Sequence, residues 1–243
     1  SVDLAGKTSE EAARKCRYTA LQQLADRHNC DAIVVAHTRD DQVETVLHHL
    51  LRGTGLKGLA GMAGRQSLRN DLELLRPFLD VGREDIEQWL RSLDQSWRED
   101  VSNTQTHWTR NRIRHGLLPM LEREYNPQVR QALLRVSRLS LEAVGIIGEA
   151  VESVWDACVL EQTPLVVRLC AETLGQATGP VVRAVLLELW CRQGWPRQAM
   201  SFSHWLALGE VVTAGTAIDL PGGITARRNG PVIRIERPEA SGG

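Results

Sequence analysis

The strongest chemical feature of the sequence is the run Ala36-His37-Thr38-Arg39-Asp40-Asp41-Gln42-Val43-Glu44-Thr45. Asp41 and Glu44 stand three apart, so on a helix both carboxylates share one face. Paired carboxylates at a helix start can grip a cation, either Mg²⁺ or the ammonium group of an amino acid. Asp40 is the next acid along, a candidate substrate contact or metal ligand. His37 leads the run and is placed to contact a substrate or exchange a proton. The same residues also have a plain structural use. Asp40 near a helix N-terminus makes a good cap, and Glu44 can be an ordinary surface acid.

The elements around this run decide where it sits. Thr8 or Ser9 followed by two glutamates reads as a helix start. Apolar residues from Ala13 to Ala25 then repeat at helical spacing, to about Arg27. Ala32-Ile33-Val34-Val35-Ala36 is short, apolar and β-branched, the pattern of a strand buried on both faces in a parallel sheet. A second helix is predicted from Arg39 to Leu51, stopped by Arg52-Gly53-Thr54-Gly55. Helix, strand and helix make half of a doubly wound α/β unit, whose further strands are expected from outside this chain or from another chain. The candidate carboxylates then lie at the carboxyl edge of the strand, where such sheets bind ligands.

Further along, five glycines between Gly53 and Gly64 predict a loop. Leu72–Leu79 contains Pro77 and so reads as an edge strand or extended connector at best. A short helix is expected over 82–93, and longer ones over 110–125, 127–160, 179–193 and 203–214. Pro221-Gly222-Gly223 and Asn229-Gly230 separate three β-rich runs, 216–220, 224–228 and 232–236, which predict a small antiparallel meander. The fold class is therefore an incomplete parallel α/β part, a mainly helical region, and a terminal β meander. A boundary is expected between Leu121 and Pro127.

Composition narrows the function classes. Charged residues make up 24% and the net charge is −1, which argues against indiscriminate coating of nucleic acid. Charge is unevenly spread, however. Between Val101 and Ser140 seven arginines (Arg110, Arg112, Arg114, Arg123, Arg130, Arg135, Arg138) face only Glu122 and Glu124. Such a stretch can bind phosphates, or be a solvated helix face. The five cysteines form no CxxC pair, and each is expected as a small buried hydrophobe. Trp89, Trp155, Trp190 and Trp205 fall on apolar helix faces and are expected in the core, whereas Trp108 is a candidate for base stacking. No apolar run is long enough for a membrane-spanning helix. The chain opens Ser1-Val2-Asp3-Leu4, with neither Met nor a signal-peptide pattern, and a processed or truncated product is expected.

Taken together, several motifs resemble the tRNA(Ile)-lysidine synthetases. They are Glu11-Ala12-Ala13-Arg14 with Arg17-Tyr18, the run from His37 to Thr45, Leu51-Arg52-Gly53-Thr54-Gly55, Gly58-Leu59-Ala60-Gly61-Met62, Arg76-Pro77, Asp100-Val101-Ser102-Asn103 and Arg110-Asn111-Arg112-Ile113-Arg114. The resemblance is dense from Glu10 to Leu121. It implies a PP-loop ATP pyrophosphatase of the cytoplasm that uses ATP and Mg²⁺. Such an enzyme adenylates the wobble cytidine of an isoleucine tRNA, and free L-lysine then displaces AMP to give lysidine. It implies lysine or ATP contacts at Asp40, Asp41, Glu44, Arg52 and Asn103, and catalytic roles for His37, Asp41, Glu44 and Arg114. It further implies tRNA contacts at Arg110, Asn111, Arg112, Arg130 and Arg138, with a homodimer left open. The implied organisation is 1–80 as the remainder of the catalytic domain, 81–125 as an Arg-rich helical extension and 126–243 as a tRNA-binding unit.

Two departures from the family pattern stand out. Thr38 occupies the place of a second histidine, so any base role falls on His37. The Ser-Gly-Gly-x-Asp-Ser loop that cradles pyrophosphate does not occur in these 243 residues, so the chain by itself is expected to bind ATP poorly and to be inactive. The rival readings are a catalytically dead tRNA-binding fragment, or another PP-loop tRNA enzyme such as a thiolase, whose chemistry usually calls for the absent CxxC pairs.

Overall fold

A computed structural model describes residues 10–98 and 109–238. The chain divides into two compact units, Ser1–Ala143 and Val144–Gly243, and the division falls within one long helix.

The first unit begins with helix α1 (Glu10–Arg27), strand β1 (Ala32–Val34) and helix α2 (Arg39–Leu51), as the sequence predicts. A four-residue helix α3 (Leu56–Leu59) interrupts the glycine-rich loop. Strands β2 (Arg65–Arg69) and β3 (Leu72–Leu75) follow as a hairpin, and β3 runs parallel to β1 with Ile33 opposite Leu74. The strand order is β1-β3-β2, so β3 is central rather than an edge strand. Pro77 misleads here: the strand ends at Leu75, and the proline never has to donate to the ladder. The parallel partner of β1 thus comes from within the chain, contrary to expectation. Nor is β1 buried on both faces. Ile33 is in the core, but Val34 is exposed, and the outer edge of β1 pairs with no strand among the described residues.

Helix α4 (Arg83–Ser92) matches its predicted range, although Trp89 points to solvent instead of the core. The expected helix over 110–125 is present with a change of pitch: α5 (Thr109–Arg112), a π-helical turn at Ile113–Leu117, then α6 (Leu118–Glu124). Helix α7 (Val129–Cys158) is continuous over thirty residues. Val43, Val46 and Leu47 recur at helical spacing on α2 and pack against Ile113, Leu118 and Leu133. A second cluster of Ala25, Ile33, Leu72 and Leu74 seals α1 to the sheet.

The glycine-rich loop is tied to α2 by one buried amide. Gln42 Nε2 donates to the carbonyls of Ala60 and Met62 and to Ser137 Oγ, while its Oε1 accepts from Met62 N at 2.8 Å. Gly61 is required in this loop on two counts. Its φ is +71°, and a Cβ there would lie 2.7 Å from the Gln42 amide. Gln42→Leu strands several buried polar groups at once and is expected to destabilise the unit by about 3 kcal/mol, read from urea unfolding. A loss below about 0.5 kcal/mol would show that water replaces the amide at little cost.

The second unit takes the later part of α7, strands β4 (Val159–Gln162) and β5 (Val166–Cys170), and helices α8 (Ala171–Gly175), α9 (Gly179–Arg192) and α10 (Phe202–Ala214). Strands β6 (Ala217–Leu220), β7 (Ile224–Asn229) and β8 (Val232–Glu236) form the expected meander. The sheet has five strands rather than three, because β5 adds to β8 and β4 to β5, all antiparallel. Its core gathers Trp155, Trp190, Leu186, Leu208, Ile224 and Ile233. The cysteines divide: Cys158 is buried and Cys170 half-buried, but Cys16, Cys30 and Cys191 are exposed, against expectation. No helix among the described residues is long and apolar enough to cross a membrane.

Candidate active site

The chain turns from β1 into α2 at Thr38, which caps the helix. Thr38 backbone N–H and Oγ1 both donate to Asp41 Oδ2, at 2.8 and 3.0 Å, and the Asp41 N–H returns to Thr38 Oγ1. This reciprocal cap leaves Asp40 uncapped and free for other partners, which corrects the expectation that Asp40 is the cap. Asp40 Oδ2 accepts the Arg83 N–H at 2.9 Å, and its Oδ1 pairs with Arg130 Nη1 at 3.2 Å. Arg130 also reaches Glu122, at 2.6 Å.

One turn further on, Glu44 is only 3% exposed and meets Arg114 side-on. Arg114 Nε donates to Oε1 at 2.5 Å and Nη2 to Oε2 at 3.0 Å, and the same Nη2 reaches Asp41 Oδ1 at 3.1 Å. The fork geometry of guanidinium makes one arginine serve two carboxylates. The charges of this triad do not cancel, since two acids face one arginine. Burial raises the Glu44 carboxyl above its ordinary value of 4.5, and the hydrogen bond and charge of Arg114 offset that only in part. On Arg114, burial works against the charge, but Glu44 and Asp41 more than compensate, so its guanidinium is held more firmly protonated.

A cavity of about 370 Å³ opens over these groups, within the size range of small-molecule sites. Asp40, Asp41 and Glu44 line it together with Arg83, Arg114 and Arg130. Three acids against three bases is an environment suited to a molecule carrying both signs of charge. Each carboxylate retains acceptor capacity beyond the bonds already made.

The raised Glu44 carboxyl has a consequence for stability. The folded state holds that proton more tightly than the unfolded state, so deprotonation opposes folding. The Glu44 contribution is therefore favourable in acid and is lost as pH rises from 4.5 through the raised value. Relative to Glu44→Gln, the parent protein is expected to lose stability over that rise, read from urea midpoints as a function of pH. Parallel pH curves for the two proteins would contradict this assignment.

The remaining expected site residues are placed as follows. His37 is half-buried between Ala36 and Thr38, both of which line the cavity. Arg110, half-buried on α5, acts on the charge of Glu44. Asn111 is half-buried beside it and Arg112 is exposed. Arg52 sits exposed at the far end of α2, about 16 Å along the axis from Asp41, and is not brought to the cluster. Arg138 is exposed on α7, away from the lining, whereas Arg130 is part of it. Asn103 and Trp108 lie outside the described residues. Arg83 and Glu122 were not anticipated: Arg83 meets Asp40, which is remote in sequence, and Glu122 joins the cluster only through Arg130.

Both oxygens of Asp40 accept from nitrogen donors, and no group of three or more His, Cys, Asp or Glu side chains that could hold a metal ion occurs among the described residues.

Comparisons with known proteins show what the chain is similar to. Residues 1–121 match the PP-loop domain family, the class of ATP-binding domain to which the α/β part corresponds. A tRNA(Ile)-lysidine synthase of Rhodopirellula baltica is 34% identical over 218 residues, covering 83% of this chain and 55% of that protein. Those of Thermobifida fusca (34%, covering 90% and 66%) and Salinispora tropica (36%, covering 97% and 71%) are similarly related. The chain belongs to the tRNA(Ile)-lysidine synthase family. It spans between about half and two thirds of the length of the first two of these relatives. Among solved structures, the U34-tRNA thiolase NcsA from Methanococcus maripaludis aligns with a TM-score of 0.43 and 14% identity, over 57% of this chain and 46% of that one.

Proposed function

We propose that the cavity at the head of α2 binds the L-lysine that becomes attached to the wobble cytidine of an isoleucine tRNA. The observation that carries this reading is the charge-balanced lining of Asp40, Asp41 and Glu44 with Arg83, Arg114 and Arg130, in a chain of this family. Lysine brings two ammonium groups and one carboxylate. The incomplete neutralisation of Asp41 and Glu44 by Arg114 leaves negative charge for an ammonium, and an arginine of the rim can take the carboxylate.

In the reaction, the cytidine C2 oxygen displaces pyrophosphate from ATP, the lysine ε-amine attacks C2, and AMP departs with that oxygen. The attacking amine must shed a proton, and His37, in the connection between β1 and α2, is the acceptor in this reading. Arg110 and Arg114 offset the negative charge that develops on phosphate. Arg112 and Arg138, with Asn111, contact the tRNA. Arg52 and Asn103 are assigned to substrate contacts outside the Asp41–Glu44 cluster. Residues 1–80 contribute to the catalytic domain, 81–125 carry the arginine segment beside it, and 126–243 bind tRNA, all in the cytoplasm.

The test is transfer of radiolabelled L-lysine to an isoleucine tRNA transcript by the full-length protein. Incorporation that requires both ATP and the wobble cytidine supports the reading. Adenylation without any lysine transfer would contradict it.

A further inference from the structure

The second unit contains a cavity that the proposed lysine chemistry does not use. It measures about 800 Å³ and is bordered by Trp195, Pro196, Arg197, Gln198, Trp205 and Arg237. No acidic side chain lines it.

Its construction can be followed from the sequence. Gly194, at φ +62°, turns the chain out of α9, and Trp195 then plunges into the core and anchors the segment that follows. Trp190 is fully buried and serves as a hub. The Trp195 and Trp205 rings meet it edge-on, at centroid separations of 5.1 and 5.2 Å. Trp195 Nε1 is satisfied by the Pro164 carbonyl. Trp205 is only partly buried, so an indole held rigid from behind borders the cavity. The turn at Gly222 and Gly223 lies against Pro196 and Pro238, and both glycines have positive φ, at +83° and +71°.

The arginines of this unit divide into those with an acidic partner and those without one among the described residues, and both rim arginines belong to the second group. Arg168, Arg192 and Arg234 in this unit are each paired with a glutamate. Among the described residues Arg197 and Arg237 have no such partner; the Arg197 guanidinium donates only to the Cys191 thiol, at 3.2 Å. Two cations without counterions beside a rigid aromatic surface suit a ligand that is both planar and anionic. A nucleotide is such a ligand: bases stack on indoles irrespective of sequence, and arginines meet phosphate. Within a duplex both faces of a base are covered by its stacked neighbours, so the base must be unstacked.

We propose that this cavity receives an unpaired nucleotide of an RNA, with its base on Trp205 and its phosphate met by Arg197 and Arg237. The proposal rests on the reading of the chain as a tRNA-modifying protein, but on residues remote in sequence from those of the lysine cavity.

The test measures binding to this chain of a short single-stranded oligoribonucleotide, a duplex of equal length, and AMP, by tryptophan fluorescence at several salt concentrations. The single strand is expected to bind best, with the duplex and AMP each at least about tenfold weaker. Trp205→Leu keeps apolar bulk behind the cavity and is expected to weaken the single strand about tenfold. Arg197→Gln and Arg237→Gln, which remove no core side chain, should each shallow the logarithmic salt slope by about 0.7. These two variants decide the matter should Trp205→Leu fail to fold. Unchanged binding in the arginine variants would overturn the proposal, as would a duplex that binds as well as the single strand. AMP binding as tightly as the oligonucleotide would make the cavity a free-nucleotide site and overturn the RNA assignment. Failure here alongside intact lysine transfer would leave the function of the first unit standing.

Discussion

Arg114→Ala is expected to abolish most turnover and to cost the first unit about 3–5 kcal/mol of stability, the usual loss when one partner of a buried ion pair is removed. The cause is local. Glu44 is buried and relies on Arg114 for two hydrogen bonds and its only ion pair among the described residues. Without the guanidinium, burial and the neighbouring Asp41 drive the Glu44 carboxyl further up, and only the charge of Arg110 opposes them. The site is then less able to hold the negative charge that an ammonium needs. Arg138→Ala provides the contrast. Arg138 is exposed and away from the cavity, so its removal should change stability by less than about 0.5 kcal/mol. It should instead weaken tRNA binding for all sequences alike and shallow the salt slope by about one contact. Thermal unfolding, turnover at saturating tRNA and tRNA affinity at two salt concentrations separate the two. The same pattern for both arginines would mean that the stretch is one undivided electrostatic surface.

Glu44→Gln is expected to raise the lysine requirement of the full-length protein roughly a hundredfold, since a buried hydrogen-bonded charge pair is worth several kcal/mol when one partner is neutralised. Gln preserves shape and one acceptor oxygen but removes the negative charge. The first half-reaction involves no lysine, so tRNA-dependent exchange between ATP and pyrophosphate should persist. The split distinguishes the two uses of an acidic pair. If exchange fails together with lysine transfer, Asp41 and Glu44 serve adenylation, and lysine is held elsewhere.

Much of this site can be read from the sequence because it is local. The helix from Arg39 to Leu51 follows from the spacing of Val43, Val46 and Leu47 and from the glycines after Arg52, and it places Asp41 and Glu44 on one side. What cannot be read is what faces them. Arg83 is 43 residues from Asp40, and Arg130 is 90 residues away. No periodicity links residues that meet only through tertiary packing. Arg130 looks in sequence like the companion of Arg138 on one basic stretch, but α7 delivers it to Asp40. The cap was legible and still misassigned: Thr38 with Asp41 three residues later is a capping pair, while an acid at a helix start attracts that role by default. The hairpin of β2 and β3 is hidden by the polar residues of Arg65-Gln66-Ser67 and by Pro77. The strands β4 and β5 flank the turn at Thr163-Pro164, and a helical pattern continuing from α7 obscures them.

The central claim, that the cavity lined by Asp41, Glu44 and Arg114 is a lysine site, is tested most directly by calorimetric titration of L-lysine into the chain and into its Glu44→Gln variant. The account predicts saturable binding to the parent, weakening in acid as Glu44 gains its proton, and a loss of roughly a hundredfold in the variant. Equal lysine affinity in the two proteins at neutral pH would contradict it.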